Sequence, residues 1–284
     1  MAHITLNFQS NALFRNTTVD IVIPAETMAG FPPRTTEYKT VYLLHGFSGD
    51  SKHWLLNAPI VELSQLTQTV FVMPSGDNTF YVDGEAGFTK YSKFIGEELV
   101  DFTRRVLPLS KKREDTTIAG LSMGGYGAIH NGLKYHETFG HIIALSASLC
   151  TDLAVASQTA TELDMLAHDS VYYERIFGDL SKLENSDKNP LRQVQKILAE
   201  ATDVIDLYLA CGWNDKLVTL SRDFVRKLRE LNFLHTYEED AGSHEWASWN
   251  KQIRRGLSHA LGMPIADGIP SQFNPFYVEE TDFE

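Results

Sequence analysis

The sequence predicts an α/β fold with a central, mostly parallel sheet of eight strands and helices on both faces. Short segments such as 41–44 and 70–73 are almost continuously apolar, which is typical of strands that are covered on both sides. Segments with helical spacing lie between them, and this alternation is characteristic of parallel sheets. A chain of 284 residues that is 43% hydrophobic suits one sizeable domain better than two small ones.

Eight segments have the β-prone composition of strands. In chain order they are His3–Phe8, Thr17–Ile23, Lys39–Leu44, Thr69–Met73, Thr116–Gly120, His141–Ser146, Ile205–Cys211 and His235–Glu239. The first two are separated by only eight residues, which favours a hairpin. Among the helical patterns, Tyr91–Leu107 has one apolar stripe and ends before Pro108, and Leu217–Leu231 repeats leucine or phenylalanine at spacings of three and four.

One region, Leu149–Ala201, interrupts this alternation between the sixth and seventh strands. It is polar and irregular, with short helical patterns at 170–177 and 191–201. We therefore expect residues 1–262 to form a single domain in which 149–201 is a cap-like insertion over a pocket. Residues 263–284 contain three prolines and are expected to form an extended tail.

Charge and composition exclude several classes of function. A net charge of −12 argues against nucleic acid or an anionic membrane as a partner. The N-terminal residues lack a basic stretch followed by an apolar run, so we expect a cytoplasmic protein. Cys150 and Cys211 form no CxxC motif and are expected to be packing residues in a reducing compartment. No histidine pair has zinc-ligand spacing, so no metal site is predicted.

The stretch Gly120-Leu121-Ser122-Met123-Gly124 carries the clearest chemical signal. It follows a β-prone segment and precedes a glycine-rich helical pattern. A Gly-x-Ser-x-Gly motif in this context is a nucleophile elbow, a tight turn that exposes the serine hydroxyl above the sheet. Ser122 is therefore the predicted nucleophile.

The segments that follow other strands supply the partners that such a serine needs. Asp215 follows the seventh strand and His244 follows the eighth, so the chain order is Ser, Asp, His. Because the carboxyl ends of parallel strands meet at one edge of a sheet, these residues are expected to converge there. Ser122, Asp215 and His244 in this order are the predicted triad of an α/β-hydrolase fold.

Alternatives remain for the acid and for the other histidines. Asp215 could merely cap the next helix, and Asp206 and Asp240 are rival acids. His45 is expected to hold a turn by a hydrogen bond.

Backbone N–H groups of Phe47 and Met123 are the predicted oxyanion-hole donors, since they lie beside the third strand's end and directly after the nucleophile. Trp54 and Tyr81 are the predicted pocket walls.

These residues resemble the bacterial tributyrin-esterase type of α/β-hydrolase, within the esterase D and S-formylglutathione hydrolase superfamily. The segments that carry the resemblance are 43–50 followed by Trp54, 77–81, 97–99, 119–128, Cys211-Gly212-x-x-Asp215 and Gly242-Ser243-His244-Glu245-Trp246-x-x-Trp249. The resemblance covers about residues 1–262. It implies a serine carboxylesterase acting on small, short-chain acyl esters, without a cofactor, in the cytoplasm and often as a homo-oligomer. Feruloyl or acetyl-xylan esterases and S-formylglutathione hydrolases share the motifs, so they are alternatives, with an acyltransferase or a catalytically silent scaffold less favoured.

Overall fold

A computed structural model of the protein describes residues 2–25, 37–85, 87–159, 168–200 and 205–266. Its strands lie within one residue or two of the predicted segments. They are β1 (Ala2–Ser10), β2 (Arg15–Ile23), β3 (Lys39–Leu44), β4 (Thr69–Pro74), β5 (Thr116–Leu121), β6 (His141–Leu145), β7 (Asp206–Gly212) and β8 (Thr236–Asp240). The expected tail 267–284 lies outside the described residues.

All eight strands form one sheet in the order β1-β2-β4-β3-β5-β6-β7-β8. Strands β3 to β8 are mutually parallel, whereas β1 and β2 form the predicted antiparallel hairpin and β2 pairs antiparallel with β4. The predicted fold class is confirmed. The carboxyl ends of β3, β5, β6, β7 and β8 therefore meet at one edge of the sheet.

Helices cover both faces of this sheet. They are α1 (His53–Asn57), α2 (Ile60–Thr67), α3 (Tyr91–Lys93), α4 (Leu99–Val106), α5 (Met123–Lys134), α6 (Thr151–Ala156), α7 (Ser170–Phe177), α8 (Leu180–Leu183), α9 (Pro190–Glu200), α10 (Val218–Glu230) and α11 (Trp246–Leu261). Two apolar clusters result, one containing Ile118 and Tyr126 and the other containing Trp54 and Ile253. Among the described helices, none is both long and apolar enough to cross a membrane.

The predicted helix Tyr91–Leu107 contains a wider turn that its apolar stripe did not indicate. A π-helical segment, Phe94–Glu98, joins α3 to α4. The Glu98 carboxylate at its end accepts hydrogen bonds from the hydroxyl of Ser10 and the backbone N–H of Asn11. This contact ties the helix to the hairpin end of β1.

The inserted segment is attached to α5, the helix that follows Ser122. Lys134 Nζ lies 2.9 Å from Asp187, and the Tyr126 hydroxyl donates to the Lys188 carbonyl. These contacts connect the described part of segment 149–201 to α5; its role as a cap stays a prediction.

A buried carboxylate joins the hairpin to the edge of the sheet. Asp20 accepts hydrogen bonds from Thr5 Oγ1 at 2.6 Å and Ser51 Oγ at 2.7 Å, and His3 Nε2 lies at 2.7 Å. Burial alone would raise the pKa of Asp20, but these donors outweigh burial and lower it. The carboxylate therefore stays ionised inside the protein.

We expect Asp20→Asn to lower the free energy of unfolding by at least about 2 kcal/mol at pH 7, because hydrogen bonds to a charged group are lost. A depressed native pKa contributes stability above the unfolded value of about 4 and loses it as pH falls through the native pKa. Denaturant unfolding of both proteins should thus show a difference that shrinks below about pH 4. Exposed Asp101→Asn is the control; a difference independent of pH would contradict this account.

Candidate active site

Ser122 occupies the sharp turn between β5 and α5. Its backbone angles are φ 55° and ψ −118°, a region that a serine adopts only when the surrounding structure imposes it. The neighbouring glycines permit this turn. A Cβ on Gly120 would lie 2.2 Å from the Gly124 carbonyl oxygen, and one on Gly124 would lie 2.4 Å from the Leu44 carbonyl oxygen. A side chain at either position would collide with backbone atoms, so α5 can begin directly against β3 only because residues 120 and 124 are glycine.

The three side chains predicted to form the triad are adjacent. His244 Nε2 lies 3.0 Å from Ser122 Oγ, and His244 Nδ1 lies 2.9 Å from Asp215 Oδ2. The ring of Trp249 packs edge-on against that of His244, with centroids 4.9 Å apart. This geometry lets the imidazole take a proton from the hydroxyl while the carboxylate holds its other nitrogen protonated.

Asp215 is fully buried at the side chain but is surrounded by donors. Burial would raise its pKa, but hydrogen bonds from His244, Ser146 and the Leu217 N–H lower it below the usual value. The helix α10 starts at Val218, after an N-cap at Leu217, so Asp215 is not its N-cap residue. It accepts the Leu217 N–H at 2.8 Å while also facing His244.

The two rival acids are occupied elsewhere. Asp206 lies 2.8 Å from both His141 and His259, and Asp240 lies 2.9 Å from Arg255. Within the described ranges, neither carboxylate forms a hydrogen bond with His244, whose Nδ1 lies against Asp215. The geometry therefore favours Asp215 as its partner.

Phe47 and Met123 both line the cavity that contains Ser122. Met123 is the first residue of α5, so its N–H has no intrahelical acceptor and lies at the positive end of the helix dipole. The Phe47 side chain is 48% exposed at the mouth of the cavity. These positions are compatible with the predicted donor pair.

His45 has a defined tautomer. Its Nε2 accepts the Gly76 N–H at 2.9 Å, so the proton is on Nδ1, which donates to the Gly46 carbonyl at 2.7 Å. Burial lowers the pKa of His45, which keeps the ring neutral. The turn-holding role expected for this residue agrees with these contacts.

The cavity beside Ser122 has a volume of about 320 Å³. Its lining is largely apolar. The residues are Phe47, Phe80, Ser122, Met123, Ser148, Cys150, His168, Tyr172, Tyr173, Lys216, Leu217, Leu220 and His244. The insertion contributes Tyr172 and Tyr173 from α7. A larger open groove, of about 1030 Å³, lies between β1 and α4, and none of the triad residues lines it.

The expectation that Trp54 and Tyr81 form the pocket walls is wrong. Trp54 is 1% and Tyr81 0% exposed, and neither is among the described residues that line the cavity. Buried indole and phenol groups need an acceptor, and each finds one at the end of β3. Trp54 Nε1 donates to the Leu44 carbonyl and the Tyr81 hydroxyl to the His45 carbonyl, both at 2.9 Å. These two side chains therefore support the loop that follows β3 through its backbone carbonyls.

Two residues of the cavity were missed or misjudged. Ser148 Oγ lies 3.5 Å from Ser122 Oγ, and its position just after the sixth strand was the signal that could have identified it. Cys150 was expected only to pack, but it lines the cavity. Burial raises the pKa of its thiol to about 12, so it presents a neutral surface rather than a nucleophile.

A second cleft, of about 450 Å³, adjoins the first and shares Phe47 and Tyr172 with it. Its lining includes the polar and charged residues Asn78, Glu174 and Arg175. Phe47 and Tyr172 line both cavities, so the two spaces meet at these side chains.

Comparison with known proteins gives consistent relatives. A family model described as putative esterase matches residues 10–260. The acetyl esterase of Caldicellulosiruptor saccharolyticus is 40% identical over 256 residues, covering 89% of this chain and 96% of that protein. Two Staphylococcus aureus structures, a fluorophosphonate-binding serine hydrolase F with bound substrate and an S-formylglutathione hydrolase without ligand, are each 27% identical. Each has a TM-score of 0.77, with 92% of this chain and 98% of the other covered.

Proposed function

The chain belongs to the putative esterase family and is a carboxylic ester hydrolase, and from this premise we propose that it is a serine carboxylesterase for short-chain acyl esters. The proposed substrates carry acetyl to butyryl groups. Ser122 is the nucleophile, His244 the general base and acid, and Asp215 the residue that orients His244. The observation that carries the proposal is the 3.0 Å contact between Ser122 Oγ and His244 Nε2 at the floor of the cavity.

In the first half-reaction, Ser122 Oγ attacks the ester carbonyl carbon and its proton passes to His244 Nε2. The carbonyl oxygen becomes an oxyanion, which the N–H groups of Phe47 and Met123 stabilise. The bond to the alkoxy oxygen then breaks, and His244 returns the proton to the leaving alcohol. Water, deprotonated by His244, releases the carboxylic acid from Ser122 by the same steps.

The size of the apolar cavity supports a preference for short acyl groups. Phe80, Tyr173 and Leu217 are buried side chains around it, and the described insertion is attached to α5. A longer chain would leave methylenes outside the pocket or force the packed wall to move. The first loses about 0.8 kcal/mol for each methylene, and the second costs about 1–3 kcal/mol.

We therefore expect kcat/KM to be highest between acetyl and butyryl esters and to fall sharply beyond about eight carbons. Hydrolysis of a series of 4-nitrophenyl esters measures this profile. Leu220→Ala, which enlarges the cavity, should move the optimum to longer chains, whereas exposed Leu56→Ala should not. Faster hydrolysis of palmitoyl than butyryl esters would contradict the proposal and indicate a lipase with an opening lid.

A thioester hydrolase is the second candidate, because the acyl-enzyme chemistry is the same and one similar structure is an S-formylglutathione hydrolase. The cleft of about 450 Å³ beside Phe47 offers space for a large leaving group. Parallel turnover of S-formylglutathione and a butyrate ester separates the two functions. A kcat/KM that is at least about tenfold higher for the thioester would favour the thioester hydrolase. That ratio corresponds to a difference of about 1.4 kcal/mol in transition-state stabilisation.

A further inference from the structure

We propose that Trp249 and Ser146 are positioning residues of the triad. The ring of Trp249 confines the His244 imidazole, and its N–H, acting through the Ser146 hydroxyl, orients the Asp215 carboxylate. The inference rests on the esterase function proposed above. Neither positioning residue is among the described residues that line the cavity containing Ser122. An effect on the reaction therefore passes through the triad side chains that they contact.

Trp249 lies in the first turn of α11, five residues after His244, and is 6% exposed. Its ring stands at 88° to the imidazole, with the centroids 4.9 Å apart. The ring of Trp246 packs against the same indole at 5.3 Å, and the indole N–H donates to Ser146 Oγ at 3.0 Å. The hydrogen bond and the ring contacts fix the indole. An imidazole packed against it has less freedom to turn away from its partners in the triad.

The Ser146 hydroxyl has one proton, and its neighbours determine where that proton points. An indole N–H can only donate, so Ser146 Oγ is the acceptor in its bond with Trp249. An ionised carboxylate can only accept, so in its hydrogen bond with Asp215 the serine is the donor. The Cys211 thiol also neighbours this hydroxyl, but burial raises its pKa to about 11, and a neutral thiol is a weak acceptor. The bond from Trp249 thus leaves the serine proton directed at Asp215.

The backbone at Ser146 favours a different residue. Its φ is 45°, in the left-handed region that glycine adopts without strain. Its N–H donates to the Ala210 carbonyl at 2.8 Å and so continues the pairing of β6 with β7, while the side chain is fully buried. Because glycine would fit this backbone more easily, the hydroxyl is what serine contributes here.

The test compares Ser146→Gly with Ser146→Ala on acetyl and butyryl esters of a small alcohol. Both lack the hydroxyl, but only glycine adopts this φ freely, so Ser146→Gly should unfold at the higher temperature. We expect kcat to fall about 10- to 100-fold in both, with KM changed by less than about threefold. Equal losses of kcat at unequal stability distinguish the positioning of Asp215 from a general effect on folding.

Trp249→Phe tests the other end of the same hydrogen bond. It keeps a ring against His244 but removes the N–H, and it should lower kcat about 3- to 10-fold. Combined with Ser146→Gly, it should lower kcat little further than Ser146→Gly alone, since both changes remove one shared interaction. The proton between His244 Nδ1 and Asp215 should give a downfield NMR signal that broadens in each variant.

Trp246→Phe is the matched control, because this partly buried indole lies in the same helix and, among the described residues, makes no ring contact with His244. Its kcat should change by less than about threefold. Wild-type kcat in both Ser146→Gly and Trp249→Phe, a loss confined to KM, losses that follow the unfolding temperature, or fully additive losses in the double variant would overturn the proposal. An inactive wild-type protein would instead overturn the esterase function itself.

Discussion

Ser122→Ala is expected to lower kcat for acetyl-ester hydrolysis by at least about four orders of magnitude, and by about 10⁶ if the triad acts as a unit as in other serine hydrolases. The reason is that His244 would have no hydroxyl to deprotonate and no acyl-enzyme could form. The turn at residue 122 would keep its backbone contacts, because the Ser122 N–H bonds to the Leu145 carbonyl at 2.9 Å. Initial rates of purified protein, with circular dichroism to verify folding, measure the effect.

Ser148→Ala is the matched control, since this serine lies in the same cavity 3.5 Å from Ser122 Oγ. Among the described residues, Ser148 forms no hydrogen bond with His244, so its loss should cost less than about tenfold in kcat. If Ser122→Ala kept more than about a tenth of wild-type activity, Ser122 would not be the nucleophile.

Asp215→Asn carries the second-largest expected effect. The amide has nearly the shape of the carboxylate but presents a donor to His244 Nδ1, which favours the wrong imidazole tautomer. The same exchange has cost about 10⁴ in kcat in another triad hydrolase, and we expect a loss of that order. The buried amide also lacks the charge that accepts the Leu217 N–H at 2.8 Å, so a modest loss of stability should accompany it.

Asp240→Asn is the control for this experiment. Asp240 precedes the same histidine loop, but its carboxylate binds Arg255 at 2.9 Å and Gln252 at 3.1 Å. Its exchange should change kcat by less than about threefold. A large loss in Asp240→Asn with near-normal activity in Asp215→Asn would show that the acid has been misassigned.

Much of the site was predictable because chemistry in parallel sheets collects where strands end. Ser122, Asp215 and His244 each follow a strand, and the sheet order brings those ends together. The apolar runs of β3 and β4 also predicted their burial on both faces. These features depend on local pattern and topology, which a single sequence records directly.

The pocket was less predictable because it depends on where long side chains point after packing. Trp54 and Tyr81 lie near the site in sequence, yet their polar atoms bond to carbonyls at the end of β3 and their rings are buried. The true wall residues Tyr172 and Tyr173 come from the insertion, whose attachment through Lys134 and Asp187 has no sequence signature.

Covalent labelling with a fluorophosphonate tests the central claim most directly, because only a serine activated by a neighbouring base reacts readily with it. The account predicts one adduct per chain, located by peptide mass spectrometry on Ser122. Ser122→Ala should abolish it and Asp215→Asn should slow it strongly. No adduct on the folded wild-type protein, or an adduct that persists on another residue in Ser122→Ala, would contradict the account.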